Sequence, residues 1–309
     1  MKALDRRFEL GMARGKLRSD ETEVLAASAP GQVASFDWDG CAATLEIASR
    51  DNLAQIERFL VLMARHERKR PSQSDESIIR VLAKDGGALV RTGAWQAWAT
   101  DQDQLIYYVL EALGQAFVEA FGGTVFHGAA IDLGDGAVVL QGPASSGKTS
   151  LLYRAWRQGL SVISDDRVTI DGLCHTVQPF PRCLKLRCAS EEDLAPLLEG
   201  IAPSHRIKTT IGTEPRIIFA RSLPGFVGYG DTRPIKALIQ MERTSGPTRL
   251  EPIAPSAALE IAQRNIATSD FSPSAVVRLI KQQADRNRLF RLAVGPNQTD
   301  AALDLLRAI

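Results

Sequence analysis

The chain has little of what would mark a membrane, secreted or metal-cluster protein. No apolar run approaches the roughly 18 residues that cross a bilayer. Its start, MKALDRRFEL, has no apolar stretch of the secretory kind, so no leader is expected. There are only four cysteines, Cys41, Cys174, Cys183 and Cys188, and four histidines. No two cysteines form a CxxC pair, and no zinc spacing is present. Reduced thiols in a cytoplasmic protein are the expectation. Charge of one sign is also missing, because 37 basic residues face 36 acidic ones. A dedicated nucleic-acid binder would carry a basic surplus, so neither nucleic acid nor membrane is an expected partner. No repeat or low-complexity tract is found.

What is present suits a globular α/β protein. With 309 residues, 45% hydrophobic and 24% charged, there is material for about two domains with buried cores. Residues 1–122 read as an N-terminal mixed α/β domain and 123–309 as a second domain. Strands are expected at Val33–Asp39 and Ala42–Ile47 around a DG turn. A helix capped by Asp51 is expected from about Asn52 to Arg70. Short strands follow at Ile78–Leu82, Ala88–Thr92 and Ala94–Ala99. A long helix then starts at Asp101 or Asp103 and stops before Gly122-Gly123. Beyond it come an apolar run Val125–Leu133, a GDG turn, a strand Ala137–Gln141, a helix from about Lys148 to Gln158, and a strand Leu160–Ile163. That order is a βαβ unit.

Between the second strand and the helix lies GPASSGKT, Gly142 to Thr149, a full G-x-x-x-x-G-K-[ST] pattern. Gly142 and Gly147 allow the backbone to turn tightly enough for successive N–H groups to face a phosphate. Ala144, Ser145, Ser146 and Ser150 belong to the same cradle. Lys148 can reach the outer phosphates and Thr149 can offer a hydroxyl to Mg²⁺. The helix that follows points its positive end at the anion. ATP with Mg²⁺ is therefore the expected ligand. The motif alone names no reaction.

The next acids are Asp165 and Asp166, in SVISDDRVTI, at the expected end of the following strand. Adjacent side chains there point in different directions. One can hold the metal while the other takes a proton from an acceptor hydroxyl. Upstream, His127 opens the run that leads into the loop. Taken alone it reads as a core residue of its strand.

The stretch HGAAIDLGDGAVVLQGPASSGKT followed by GLSVISDDRV resembles the catalytic core of the HPr kinase/phosphorylase family, whose fold is related to phosphoenolpyruvate carboxykinase. The resemblance covers about residues 125–170 and, more loosely, the rest of the C-terminal part. It implies phosphoryl transfer to a serine hydroxyl. It also implies Asp166 as the base, Thr149 and Asp165 near Mg²⁺, and His127 beside the catalytic aspartate. On that ground His127 is read as a partner of Asp166. The chain departs from the family in its first 120 residues and lacks an RGLGIINV-type signature. Glu191 and Glu192 follow Ser190, a helix cap with Asp193, and read as first-turn acids. The layout is more similar to divergent relatives that phosphorylate lasso-peptide precursors or free serine. The tail reads as strand, helix, strand and closing helix. Arg182, Lys185, Arg206, Lys208, Arg216 and Arg233 are candidates for the positive charge a migrating phosphoryl group needs, Arg182 first. The expected function is an ATP-dependent kinase acting on a hydroxyl of a peptide, small protein or small molecule. The alternative is a nucleotide-responsive regulatory ATPase without transfer. A homo-oligomer is compatible with either.

Overall fold

The computed structural model describes residues 32–38, 41–47, 77–84, 86–93, 95–120, 124–171, 175–180, 183–187, 198–202, 206–211, 214–219, 223–228, 231–267 and 272–309. The expected helix at 52–70, the Ser190–Asp193 cap with Glu191 and Glu192, and Arg182 lie outside those residues. The chain is mixed α/β and divides into two units. One takes Met1–Ala120, Cys188–Glu199 and Ile207–Arg216; the other takes Phe121–Arg187, Gly200–Arg206 and Ile217–Ile309.

In the first unit, β1 (Gln32–Trp38), β2 (Cys41–Ile47), β3 (Ser77–Lys84), β4 (Gly87–Thr92) and β5 (Trp95–Ala99) form one sheet in chain order. Only the β2–β3 pair is parallel. Helix α1 (Gln102–Ala120) packs on this sheet. Asp101 starts it, its Oδ1 accepting from the Gln104 amide at 2.7 Å, as an N-cap side chain does. Leu105, Val109, Leu110, Leu113 and Phe117 recur at helical spacing and are buried.

The second unit is built on a central eight-stranded sheet. Its elements in chain order begin with β6 (Thr124–Asp132), β7 (Ala137–Gln141), α2 (Lys148–Arg157), β8 (Ser161–Ser164), β9 (Arg167–Asp171) and β10 (Thr176–Gln178). Next along the chain come β11 (Leu184–Arg187), β12 (Arg206–Ile211), nearly all of which counts with the first unit, and β13 (Glu214–Phe219), which the unit boundary after Arg216 divides. The chain closes with β14 (Arg233–Arg243), β15 (Arg249–Pro252), α3 (Pro255–Arg264), α4 (Pro273–Asp285), β16 (Leu289–Val294) and α5 (Thr299–Arg307). The large sheet runs β10-β9-β6-β7-β14-β16-β15, with β8 also paired to β6. Helices α3 and α4 bury Ala258, Ala262, Val276, Leu279 and Ile280 with Ala137, Val139 and Leu238. Alternation turns Val138 and Leu140 to the other face, where α2 and α5 pack on one another.

The expected βαβ unit β7–α2–β8 is present, with its two strands parallel in one sheet but not paired to each other. β6 lies between them, antiparallel to both. The reason is the GDG turn, which folds β6 back onto β7 as a hairpin and occupies the edge a βαβ partner would take. The tail also holds one helix more than expected, α4, capped by Ser272 with Pro273 at its first position.

Candidate active site

The site is organised around β6. β7 ends at Gln141, opposite Gly128, and β8 ends at Ser164, opposite Ala130. The carboxyl ends of two strands therefore meet on either side of one stretch of β6. His127 stands immediately beside it.

The loop 142–149 leaves β7 through Gly142, with φ 149°, and enters α2 through Gly147, with φ 97°. A side chain is strained at both angles, and at Gly142 the neighbouring backbone also leaves no room for one. A Cβ at Gly142 would lie 2.3 Å from the Met241 carbonyl oxygen, and one at Gly147 would lie 2.8 Å from an Arg243 Nη. Lys148 is buried, and its ammonium donates to the carbonyls of Gly142 at 2.8 Å and Pro143 at 2.9 Å. Ser146 is buried, while Ala144, Ser145 and Ser150 are exposed. The first turn of α2 closes with the Leu151 amide on the Gly147 carbonyl.

Across β6, the acid pair links the end of β8 to the start of β9. β8 and β9 both pair with β6, with Ala130 opposite Ser164 and His127 opposite Arg167. Asp165 and Asp166 interrupt that line. The Arg167 amide bonds the Asp165 carbonyl at 2.8 Å, and Asp166 between them has φ 65°. This is a γ-turn of the strained, positive-φ kind. Its centre is pinned from β6 by the Gly128 amide on the Asp166 carbonyl, 3.1 Å. The pair stands directly after the end of β8, as the sequence predicts, and a further strand, β9, follows at once.

The two carboxylates have different surroundings. Asp165 is 3% exposed. It accepts from the Thr149 hydroxyl at 2.9 Å and from the Lys185 amide at 3.2 Å. Burial, and then the charge of Asp166, push its pKa up to about 6, against the pull of those two donors and the Lys185 charge. Asp166 is part-exposed, with Oδ1 3.5 Å from His127 Nδ1. Among the described residues, no three His, Cys, Asp or Glu side chains are grouped to hold a metal by themselves. Thr149 and Asp165 offer two oxygens, which suits Mg²⁺, an ion that keeps water and substrate phosphates as its other ligands. A cation there would also offset the cost of a buried carboxylate.

Gly142, Lys148, Thr149, His127, Asp165 and Asp166 are thus brought to one end of the sheet. The basic residues divide. Lys185 reaches the site through β11. Arg233 does not: it pairs with Asp132 at 2.6 Å, at the GDG end of the β6–β7 hairpin. Arg216 belongs to the first unit, over the Tyr107 ring at 5.2 Å. Met241 and Arg243 carried no sequence signal, since only strand order brings β14 beside β7.

No protein-family model and no curated protein matches this chain. Among solved structures, the HPr(Ser) kinase/phosphatase from Coxiella burnetii is similar at 12% identity, over 60% of this chain and 91% of that one, with a TM-score of 0.27. A likeness of that extent decides neither fold family nor activity.

Proposed function

We propose that the chain is a phosphotransferase that moves a phosphoryl group from ATP to the hydroxyl of a peptide, small protein or small molecule, with a serine-type hydroxyl as the expected acceptor. The second unit carries the chemistry, as a phosphate-loop core of the HPr kinase and phosphoenolpyruvate carboxykinase type. The supporting observation is the unequal acid pair. Asp165 is buried and tied to Thr149. Asp166 is accessible and stands beside His127. Two adjacent carboxylates held in such different surroundings are suited to two different tasks.

In this reading Lys148, the loop amides and the N-terminus of α2 bind the donor phosphates. Thr149 and Asp165 hold Mg²⁺, which when bound neutralises phosphate charge. Asp166 orients the acceptor hydroxyl and accepts its proton at a carboxylate oxygen. His127 holds Asp166 in place and can pass that proton on. The γ-turn keeps Asp166 out of the strand line and fixes where its carboxylate stands. Phosphoryl transfer needs positioning more than covalent participation, which such a rigid constellation supplies.

The test is transfer of label from ATP to candidate peptides and free hydroxy-amino acids, with Asp166→Asn beside the wild type. Asparagine tolerates positive φ, so the variant should fold and keep its ATP affinity while transfer falls about 10²- to 10⁴-fold. ATP hydrolysis with no labelled acceptor, unchanged in Asp166→Asn, would instead mark a regulatory ATPase.

A further inference from the structure

We infer that Arg243 is a second cationic ligand of the donor phosphates, completing from the neighbouring strand the cradle that Lys148 begins; this rests on the nucleotide reading above.

Arg243 is the last residue of β14. β14 pairs in parallel with β7, Gln240 opposite Gln141. Its next three residues therefore run on alongside the loop where β7 has given way to it. Both fixed glycines lie against this one stretch. The Met241 carbonyl meets the Cα side of Gly142, and the guanidinium meets that of Gly147, with Nη2, Cζ and Nε at 2.8, 3.0 and 3.3 Å from a Cβ placed there. All three guanidinium atoms are close, so the planar fork lies along the glycine.

The charges make the arrangement informative. Gly147 is the N-cap of α2, and the positive end of a helix disfavours a cation. Lys148 stands beside it with its own charge. A second cation at this place is electrostatically costly until an anion joins it. The neighbouring carboxylate, Glu242, is directed elsewhere: alternation along β14 puts it on the opposite face, with Arg291 at 4.0 Å. Arg243 faces the side on which α2 packs, and it is exposed. An arginine fork matches phosphate oxygens in a way that a lysine point charge does not. The ligand class is a polyphosphate: a nucleoside triphosphate, or inorganic pyrophosphate as the minimal probe.

The experiment is calorimetric titration of ATP and of pyrophosphate into the full chain as wild type, Arg243→Ala, Arg243→Lys and Lys148→Ala, with melting of each ligand-free protein. We expect Arg243→Ala to bind both ligands about tenfold or more weakly, as loss of a hydrogen bond to a charged group implies. Its ligand-free melting temperature should match the wild type, and Arg243→Lys should recover part of the affinity. If Lys148→Ala loses binding while Arg243→Ala keeps it, Arg243 has no such role and the nucleotide reading stands. A weaker Arg243→Ala that also melts lower, with no recovery by lysine, would make Arg243 a brace for the loop and overturn the inference. A wild type that binds neither ligand removes the nucleotide reading itself.

Discussion

Asp165 and Asp166 are the same residue type in consecutive positions, and only their surroundings separate them. Asp165 faces the Thr149 hydroxyl, the Lys185 amide and charge, and the Asp166 carboxylate. Its pKa of about 6 lies above the ordinary 3.8, so between those values the folded chain binds more protons than the unfolded one. Stability is therefore lost as pH rises through that window, and the penalty is complete above it. Asp165→Asn should raise the melting temperature of the metal-free protein at neutral pH by several degrees, at roughly 2–4 °C per kcal/mol. The gain should vanish below pH 3.8, a comparison that circular dichroism melts in chelator can make. The same variant should lose Mg²⁺-dependent transfer. The loop and the acid pair were legible in the sequence because each is a short run with its own chemistry. Their unequal environments were not, because burial of Asp165 depends on a hydroxyl from α2 and an amide from β11. Arg243 was illegible for the same reason, since a strand late in the chain lies next to one in its middle.

At the level of elements, the hairpin β6–β7 does most of the arranging. Sequence patterning found both strands and the turn between them. It did not show that β6 would separate β7 from β8, because pairing order is not a local property. Gly128 marks how tightly that order is enforced. A Cβ there would lie 2.6 Å from the Leu140 carbonyl oxygen. Gly128→Ala should cost about 1–3 kcal/mol by overpacking, read as a shift in denaturation midpoint. Because the Gly128 amide also holds the γ-turn, transfer activity should drop more than the lost stability explains. Helix α4 shows the opposite case. It begins at a local signal, Ser272 followed by Pro273, yet the reading of the tail as strand, helix, strand and closing helix leaves it out.

Over the whole molecule, the two units are interleaved along the chain, since the first also takes Ile207–Arg216. Within that unit the Arg216 guanidinium is buried over the Tyr107 ring. A fragment starting at Phe121 would remove Tyr107 and leave that guanidinium uncovered. It should be cut within 207–216 faster than the full chain in limited proteolysis. Among the described residues, no helix is long and apolar enough to cross a membrane. The β6–β7 hairpin, for its part, has a working end and an idle one. His127 and Gly142 stand at the first, and the turn 133–136 stands at the second, where Gly134 is exposed and a Cβ would meet nothing within 4 Å. That turn is a natural port. A dye, a purification handle or a short glycine-serine insert between Gly134 and Asp135 should leave ATP affinity unchanged, while one extra residue between Phe126 and Gly128 would swap the faces of the strand and erase the site.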